Sequence, residues 1–556
     1  MKNRIFLIVL LFSFSLFGQL AHETRAVWVA TNFGLDFPHG IRDAESQKIL
    51  LRRIFKDIKE KNYNTVYFQV RANGTTFFNS EYEPYSAELT GRTGSIPAYD
   101  PAQLSIDLAR EFGLEIHAWV NTFRCFSGND REPLLDKKHP VTAREDLVVP
   151  FYEGETLAYW MDPGNPDTHT YLVELFSDLT TKYNFDGLQL DFIRYPGKSF
   201  NDGTTFSRYG ERRDKAEWRR DNITRFIKSL SQKVKLQNPY LKLGTTPIGI
   251  YKNPPGVYGF EAFNDVYQDV ESWINNGIID YVIPQIYWDI NSNPRFEVIA
   301  KDWLKMKGNV QIILGIGAYK PEVKSEITSQ IAISRKLGAE GIAMFRYRNI
   351  SDINLFSDPA LPATYNTIAI EPLPLPFNLS AGADKLMNNN LKLSWQYDSE
   401  NEQKLKYFVL YEVQDGVPLL LKLVDPADRA SYLISARKVK EVGYYTVGTV
   451  DLNWNENYDA SNLIRVENKL LKNLLGKIGN SETPLLQKRD NNFLLNLYSE
   501  GDERLDISIK TQSANATTYN IKLKKGLNLI TLPLVEGAQE MKLDFIERKQ
   551  KRSLRL

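Results

Sequence analysis

The 556-residue chain contains a single cysteine, Cys125, and only five histidines. One thiol cannot form an internal disulfide, and no cluster of cysteines and histidines predicts a zinc site. The net charge of +1 gives no electrostatic reason to expect nucleic acid or a membrane surface as a partner. We therefore predict no metal, no other cofactor and no nucleic-acid partner.

Long apolar runs are also absent after the N-terminus, which reads MKNRIFLIVLLFSFSLFGQLAHE. Lys2 and Arg4 precede an apolar run over residues 5–17, which is too short to span a bilayer comfortably. This pattern predicts a secretory signal peptide over residues 1–19, with a membrane anchor as the alternative. The mature protein is then expected to be exported, periplasmic or secreted, with no stable membrane insertion.

Short apolar segments rich in β-branched residues alternate with amphipathic helical segments from Arg25 to about Ile350. The eight strand candidates are residues 25–31, 65–70, 115–121, 185–196, 241–250, 281–288, 310–319 and 341–348. Eight strands alternating with helices predict a (β/α)8 TIM barrel over residues 23–365. The alternative is an open doubly wound sheet, but TNFGLDFPHG after the first strand is not the glycine-rich phosphate loop that such sheets carry.

The pattern changes after the barrel. Residues 366–376 form a proline-rich linker, which is expected to be extended. Residues 377–468 alternate apolar and polar positions, and with Trp395 they resemble a fibronectin type III module. Residues 482–548 predict a second small β-sandwich, and the basic tail beyond them is interpreted as solvated charge. The predicted fold class is an α/β barrel followed by small all-β sandwich domains.

Polar and aromatic side chains collect at the predicted C-terminal ends of the barrel strands, where barrel enzymes carry their active sites. Amides and guanidinium groups can bind sugar hydroxyls, and aromatic faces can cover a pyranose ring. His117 is equally well explained as a buried core histidine. The candidate substrate-binding residues are Trp28, Gln69, Arg71, His117, Asn121, Arg124, Gln189, Arg194, Tyr195, Gln285, Tyr287, Trp288 and Arg346.

Glycosidic cleavage needs carboxyl groups, and Asp191 in FDGLQLDFIRYP is the best-placed one. Its alternative role is a structural ion pair with Arg194, which as a nearby cation is expected to lower the pKa of Asp191. Asp289 is the second catalytic candidate, with an exposed loop carboxylate as the alternative. Asp162 is interpreted as the first residue of a turn before a helix.

Two segments are similar to family-eighteen chitinases. FDGLQLDFIRYP resembles that family's strand-four motif, FDGIDIDWEYP, and PQIYWD resembles its strand six. However, Gln189 stands at the position of the central Asp, and Ile193 and Arg194 stand where the catalytic Glu would be. The resemblance therefore does not extend to the chitinase acid.

A closer resemblance, from about Glu23 to Ile350, is to the bacterial glycosyl hydrolase-like ten family. It rests on the order and spacing of ETRAVWVATNFGLDFP, YFQVRANGTTFFNSEYEPYSAELTG, EIHAWVNTFR, WMDPGNP, DGLQLDFIRYP and PQIYW. The resemblance implies an exported (β/α)8 domain that hydrolyses glycosidic bonds in extracytoplasmic glycans, including cell-wall glycan. A polysaccharide or other glycan is therefore the expected partner.

The chain departs from this family pattern at two positions. The family often carries histidine where Gln189 stands and a second acid where Phe192 stands, so only Asp191 is retained. The first functional hypothesis is a glycoside hydrolase that acts on peptidoglycan-type or related N-acetylated glycan. The second is a non-catalytic carbohydrate-binding or scaffolding protein. A deacetylase or esterase would need a metal cluster or a Ser–His pair, for which the five histidines give no signal.

Overall fold

The structure is a computed structural model that describes residues 21–365 without interruption and residues 368–555 with gaps. The gaps are 369, 384–389, 415–416, 429, 436–441, 458–460, 468–478, 481–484, 490–491, 500, 512–515, 525 and 536. The predicted signal peptide lies outside the described residues, as does part of the predicted linker. One compact unit spans residues 21–369, and a second begins at Ile370.

Eight parallel strands close into a barrel in the first unit. Each strand pairs with the next, and the eighth pairs with the first, which confirms the predicted (β/α)8 fold. The strands are β1 (Thr24–Val29), β2 (Thr65–Ala72), β3 (Glu115–Asn121), β4 (Gly187–Asp191), β5 (Lys242–Thr245), β6 (Tyr281–Val282 and Gln285–Ile286), β7 (Gln311–Ile316) and β8 (Gly341–Met344).

Two of these strands differ from the sequence prediction for local reasons. β4 ends at Asp191 rather than Pro196 because Phe192 adopts a left-handed backbone conformation with φ 49°. β6 is divided in two because Pro284 lies in its middle and has no backbone N–H to donate to a neighbouring strand.

Helices lie between the strands and cover the barrel. In the first long helix, the Asp43 side chain accepts a hydrogen bond from the Ser46 backbone N–H, and Leu51, Phe55 and Ile58 are buried on its inner face. The helices are α1 (Ala44–Glu60), α2 (Ala87–Thr90), α3 (Pro101–Phe112), α4 (Pro140–Ala143), α5 (Pro166–Lys182), α6 (Gly203–Tyr209), α7 (Lys215–Gln237), α8 (Ala262–Asp265), α9 (Val270–Asn275), α10 (Phe296–Lys305), α11 (Pro321–Lys324), α12 (Ile327–Leu337) and α13 (Tyr347–Ile350).

Some short strands add to the barrel. A three-stranded antiparallel sheet follows β3 and is made by Arg124–Ser127, Thr156–Met161 and Val148–Glu153. Thr75–Thr76 pairs with the end of β2 through an Asn73–Gly74 turn. Ala21–His22 pairs with Ala360–Leu361. Within the described residues, no helix combines the length and the apolarity needed to cross a bilayer.

The alternation of residues along the strands divides the barrel into an outer and an inner core. Val27 and Val29 of β1 face the helices, while Ala26 and Trp28 belong to a cluster inside the barrel. Because side chains alternate with a period of two, β3 and β4 likewise direct every second residue inward. This parity brings the polar residues of several strands to one end of the barrel interior.

Beyond Ile370 the described structure is built from antiparallel sheets. A first pair of sheets shares a core that includes Leu391 and Trp395 from one sheet and Phe408 and Val447 from the other. The strands are Phe377–Ala383, Asn390–Gln396 and Ser431–Ser435 in one sheet, and Val417–Val424, Leu405–Gln414, Val442–Asp451, Glu456–Asn457, Ile464–Glu467 and Gly479–Asn480 in the other. The fibronectin type III assignment stays a prediction.

A second pair of sheets shares a core that includes Leu495, Ile507 and Leu543. The strands are Leu485–Arg489, Asn492–Ser499 and Gly526–Pro533 in one sheet, and Ala516–Leu523, Glu503–Thr511, Ala538–Phe545 and Gln550–Arg555 in the other. The basic tail, interpreted from its sequence as solvated charge, therefore supplies an edge strand that ends beyond the predicted boundary at residue 548.

A buried ion pair joins β3 and β5 inside the barrel. Lys242 Nζ lies 2.8 Å from Glu115 Oε2, and both side chains are almost fully buried. Glu115 Oε1 also contacts His117 Nε2 at 2.9 Å, and His117 Nδ1 contacts the Tyr281 hydroxyl at 2.7 Å. His117 is thus placed in the barrel interior among these partners.

We predict that Glu115→Gln destabilises the barrel by about 3 kcal/mol, because it leaves the Lys242 ammonium buried without a counter-charge. The measurement is the urea unfolding midpoint followed by tryptophan fluorescence. The double variant Glu115→Gln/Lys242→Met should recover most of the loss. Glu111→Gln, which removes the exposed partner of Arg52, is the control and should cost less than about 1 kcal/mol. Equal losses for the buried and the exposed pair would contradict this assignment.

Candidate active site

A cavity of about 330 Å³ opens at the C-terminal end of the barrel strands. All eight strands, or the loops that follow them, contribute to its wall, as expected for the reactive end of this fold. The lining residues are Trp28, Ala30, Asn32, Leu35, Gln69, Trp119, Asn121, Arg124, Asp191, Phe192, Arg194, Thr246, Ile248, Gln285, Tyr287, Tyr319 and Phe345. Amide, guanidinium and aromatic groups therefore surround one carboxyl group.

Asp191, the last residue of β4, supplies that carboxyl group. Its Oδ1 accepts a hydrogen bond from the Phe192 backbone N–H at 2.7 Å, and its Oδ2 accepts one from Trp119 Nε1 at 3.2 Å. Gln285 Nε2 lies 3.4 Å from Oδ1 and completes the contacts. These donors fix the carboxyl group while one side of it faces the cavity.

Burial raises the pKa of Asp191 to about 6, and this effect outweighs the opposing hydrogen bond from Phe192 and the charge of Arg194. Only 9% of the residue is exposed, so water solvates the charged form poorly. The sequence analysis expected Arg194 to lower this pKa. Arg194 does act in that direction, but desolvation dominates, so the net shift is upward.

Two arginines flank Phe192 at the cavity wall. The guanidinium carbon of Arg124 lies 4.9 Å from the centre of the Phe192 ring, and that of Arg194 lies 5.3 Å from it. Arg124 also pairs with Glu153 at 2.5 Å. Arg194 donates to the carbonyls of Tyr195 and Pro196, at 3.2 and 3.5 Å, and forms no ion pair within the part of the chain that the structure describes.

Burial lowers the pKa of Arg194 to about 10, against the opposing influence of Asp191 and Glu153. The guanidinium group remains charged at neutral pH. Arg194 is only half-buried, and a cation that lines a cavity without a carboxylate contact can gain a charge-assisted contact from a ligand. Arg194 is therefore suited to bind an anionic group of a ligand.

Gln69 of β2 organises the loop after β1. Its Oε1 accepts hydrogen bonds from the backbone N–H groups of Thr31 and Asn32, at 3.0 and 2.9 Å. Its Nε2 donates to Asn121 Oδ1 at 3.3 Å, which links it to β3. Gln69 and Asn121 line the cavity as predicted, but most of the hydrogen-bonding capacity of Gln69 is used within the protein.

Gln189 lies on the inward face of β4, two residues before Asp191. It is buried and does not line the cavity, and its Oε1 accepts a hydrogen bond from Trp28 Nε1 at 2.8 Å. Gln189 was predicted to contact substrate at the cavity wall. In the structure it instead orients Trp28, and Trp28 lines the cavity.

Two other predicted substrate-binding residues lie in the protein interior. Arg71 is fully buried, and its guanidinium group forms a two-point contact with Glu83 at 2.6 and 2.7 Å. It also donates to the Thr122 carbonyl at 3.0 Å. His117 lies deeper in the barrel with Glu115 and Tyr281. Neither Arg71 nor His117 lines the cavity, so the structure supports a packing role for both residues.

Three further candidates also fall outside the cavity. Tyr195 is buried and accepts a hydrogen bond from Asn222 Nδ2 at 3.1 Å. Trp288 packs against the outer core, and its carbonyl accepts a hydrogen bond from Gln330. Arg346 pairs with the buried Asp36 at 2.5 Å. These three residues lie within a few positions after strands β4, β6 and β8. Their distance from a strand end therefore does not distinguish them from the residues that line the cavity.

Asp289, the second catalytic candidate, is partly exposed in the loop after β6. Its carboxylate accepts hydrogen bonds from the backbone N–H groups of Asn291 and Ser292, at 2.7 and 2.6 Å. Hydrogen bonds from Ser292 and Asn291 hold its pKa below the usual value. Asp289 does not line the cavity and adopts the loop role given above as its alternative.

The list of candidate substrate-binding residues omits several lining residues. Trp119 lies between His117 and Asn121 on the inward face of β3, and the period of two along this strand already predicts that its side chain points inward. Asn32, Leu35 and Tyr319 come from loops whose path cannot be read from a period of two. Phe345 lies just beyond β8 and stacks on Tyr287 with the ring centres 5.6 Å apart.

No group of three or more His, Cys, Asp or Glu side chains suited to a metal ion occurs among the residues described by the structure.

The chain is similar in sequence to known proteins. Residues 23–333 match the sequence profile described as Glycosyl hydrolase-like 10. The chain is 27% identical over 496 residues to glycosyl hydrolase YngK of Bacillus subtilis (strain 168), covering 81% of this chain and 92% of that protein. It is 30% identical over 335 residues to glycosyl hydrolase DigH of Escherichia coli (strain K12), covering 56% of this chain and 76% of that protein.

Among solved structures, the catalytic domain of beta-amylase from Paenibacillus polymyxa is similar with a TM-score of 0.40 and 12% identity, covering 60% of this chain and 94% of that chain. The family profile covers more than half of the sequence and contains the strands that build the cavity from Trp28 to Tyr319. The chain therefore belongs to the glycosyl hydrolase-like 10 family.

Proposed function

We propose that the protein is an exported glycoside hydrolase that cleaves glycosidic bonds in peptidoglycan-type or related N-acetylated glycan. The observation that carries the proposal is the single buried carboxyl group of Asp191, with a pKa of about 6, in a cavity lined by amides and aromatic rings. Two relatives of this chain are named glycosyl hydrolases, which supports hydrolysis of glycosidic bonds as the reaction.

A carboxyl group with this pKa can act as a general acid. At pH 6 about half of the Asp191 population carries a proton, which can pass to the glycosidic oxygen as the bond to the anomeric carbon breaks. After the leaving group departs, the carboxylate can take a proton from an attacking water. Trp119, Gln285 and the Phe192 N–H hold the carboxyl group in place for both steps.

Most glycosidases use two carboxyl groups, whereas Asp191 is the only one that lines this cavity in the described part of the chain. The second role must then come from water or from the substrate itself. An N-acetylated sugar carries an acetamido oxygen that can bond to its own anomeric carbon and be displaced later by water. The lone carboxyl group therefore favours an N-acetylated glycan.

Arg194 narrows the substrate further. Its half-buried guanidinium group lines the cavity and lacks an ion pair in the described structure. A sugar that carries a carboxylate, as muramic acid does in peptidoglycan, would supply the missing charge. This favours a cell-wall glycan over a neutral polymer such as chitin.

The alternative function is non-catalytic glycan binding or scaffolding. The observation in its favour is the same lone carboxyl group, because Phe192 stands where the family often carries a second acid. In that case Asp191 would only accept hydrogen bonds from sugar hydroxyl groups.

Replacing Asp191 with asparagine separates the two functions. We expect Asp191→Asn to lower kcat by about 10²–10⁴-fold on peptide-free peptidoglycan strands, because the general acid is lost, and to leave binding nearly unchanged. Products are measured by mass spectrometry and binding by calorimetry. Absence of products from both proteins, with retained binding, would favour the binding protein.

The stability of the Asp191→Asn variant serves as a control for its folding. Because burial raises the pKa of Asp191, the folded state holds the proton more tightly than the unfolded state, so stability falls as the pH rises from about 4 to 6 and stays at the lower level above pH 6. Asp191→Asn should therefore stabilise the protein at pH 7.5 by on the order of 1–3 kcal/mol, and this gain should vanish near pH 4. A loss of stability at pH 7.5 would indicate that the carboxylate has a structural role.

The pH dependence of turnover tests which protonation state reacts. As a general acid Asp191 must be protonated, so kcat/KM should fall about tenfold per pH unit above pH 6. The measurement is the initial rate between pH 5 and 8 with peptide-free glycan strands. A rate that instead rises through pH 6 would assign Asp191 as a base or nucleophile.

Substitution of Arg194 tests the anionic substrate. Arg194→Gln should lower kcat/KM about 10- to 100-fold on glycan strands that carry muramic acid carboxylates. Hydrolysis of neutral N-acetylglucosamine oligomers should change much less. The ratio of the two effects is the measurement, because it cancels any change in the pKa of Asp191. Arg208→Gln, on an exposed arginine, is the control, and equal losses on both substrates would refute a role in charge recognition.

A further inference from the structure

A second, smaller cavity adjoins the catalytic one. It has a volume of about 130 Å³, and Asn32 lines both cavities. Its wall combines the Phe33 ring with polar side chains from the turn after β2, the helix α2 and the loop after Ser127, including Asn73, Glu88 and Asn129. An open aromatic ring beside hydrogen-bonding groups is the composition of a sugar-binding site.

Phe33 is unusual in two respects. Its side chain is 59% exposed, so a large apolar surface faces water unless a ligand covers it. Its backbone has φ 55°, a left-handed conformation that costs a residue with a bulky side chain about 1 kcal/mol. Glycine or asparagine would adopt this conformation more easily, so a phenylalanine here is not explained by local backbone preference.

The loop that carries Phe33 is held firmly on both sides. Gln69 accepts hydrogen bonds from the N–H groups of Thr31 and Asn32, as described above. Asp36 is buried, and its Oδ2 accepts a hydrogen bond from the Ala30 N–H at 2.8 Å while Oδ1 pairs with Arg346 at 2.5 Å. The exposed ring is therefore presented by a fixed backbone.

Gly128 lies beside the Phe33 ring. A Cβ atom built on Gly128 would lie 3.7 Å from Phe33 Cε1, so the edge of the ring lies against backbone that carries no side chain. Gly128 itself has φ 149°. A ring that is more than half exposed, with no side chain on Gly128 beside its edge, is open to contact by a flat ligand.

We propose that this second cavity is a sugar subsite that binds a residue of the glycan chain beyond the two sugars on either side of the bond cleaved at Asp191. Phe33 stacks on the apolar face of that sugar, and the surrounding amide and carboxylate groups accept or donate hydrogen bonds to its hydroxyls. The inference rests on the proposed glycan substrate and adds that the protein recognises a chain of several sugars rather than a terminal residue alone.

The test compares glycans of two and six sugars. The probes are N-acetylglucosamine oligomers and peptide-free peptidoglycan strands, and their Kd is measured by calorimetry in the full-length Asp191→Asn protein, where turnover is removed. We expect Phe33→Ala to weaken binding of the six-sugar probe about 3- to 10-fold and to leave the two-sugar probe unchanged. In the protein with Asp191 intact, kcat/KM should fall by a similar factor for long chains only.

Three variants make the comparison specific. Phe33→Tyr keeps the ring and should bind like the unmodified protein. Phe260→Ala removes a phenylalanine that is 50% exposed and lines neither cavity, so it should have no effect. Phe33→Asn, whose side chain tolerates the left-handed backbone, should lose affinity for long chains while its Tm stays equal or rises.

An unchanged preference for six sugars over two in Phe33→Ala would overturn the subsite, even if Asp191→Asn abolishes turnover as proposed. A clear loss of Tm in Phe33→Asn would also overturn it, because the ring would then serve packing. If the unmodified protein neither binds nor cleaves any of these probes, the proposed glycan substrate itself fails, and the subsite fails with it.

Discussion

Burial of one carboxyl group is the constraint on which the rest of the site depends. Asp191 ends a parallel strand inside the barrel, where water solvates its charge poorly. Its donors, from Phe192, Trp119 and Gln285, satisfy the oxygens without supplying a full positive charge. The carboxyl group therefore keeps a pKa of about 6 instead of becoming a permanent carboxylate. A direct ion pair with Arg194 would have had the opposite result, and the structure keeps the two groups apart.

The positions of the surrounding residues follow from how the barrel closes. β8 pairs with β1, so the loops after both strands meet at the same edge of the cavity. Asp36 joins them, since it binds the Ala30 N–H on one side and Arg346 and the Arg348 N–H on the other. Gln69 then ties the first loop to β2 and β3. The cavity wall is thus shaped by side chains that do not need to touch a substrate.

The sequence was sufficient to predict the barrel, because strand number and alternation are local patterns. The same patterns predicted that Asp191, Gln285 and Tyr287 lie at the inward ends of strands, and all three line the cavity. The sequence could not separate Arg71 from Arg194. Both follow inward positions near strand ends, but Arg71 meets Glu83, which lies twelve residues further along the chain in a loop. That pairing depends on the path of a loop, which periodicity does not describe.

The same limit explains the wrong expectation for the pKa of Asp191. The sequence shows that an arginine lies three residues away, and a nearby cation lowers the pKa of a carboxyl group. The size of the opposing effect depends on how completely the surrounding side chains exclude water, and the cavity wall is built from all eight strands or the loops that follow them. Desolvation is a property of the assembled cavity, so only the structure could show which effect is larger.

Phe192, which stands where the family resemblance implies a second acid, affects the charge at the cavity wall. An acid at position 192 would stand between the guanidinium groups of Arg124 and Arg194, where the Phe192 ring now lies within 5.3 Å of both. Such an acid would pair with them and neutralise the positive charge at the cavity wall. The phenyl ring instead attracts both cations weakly through its face and leaves the charge of Arg194 available. With a ring rather than an acid at position 192, the charge of Arg194 stays at the cavity wall, so in the proposed function the charge of the substrate and the choice of catalytic groups are linked through this one position.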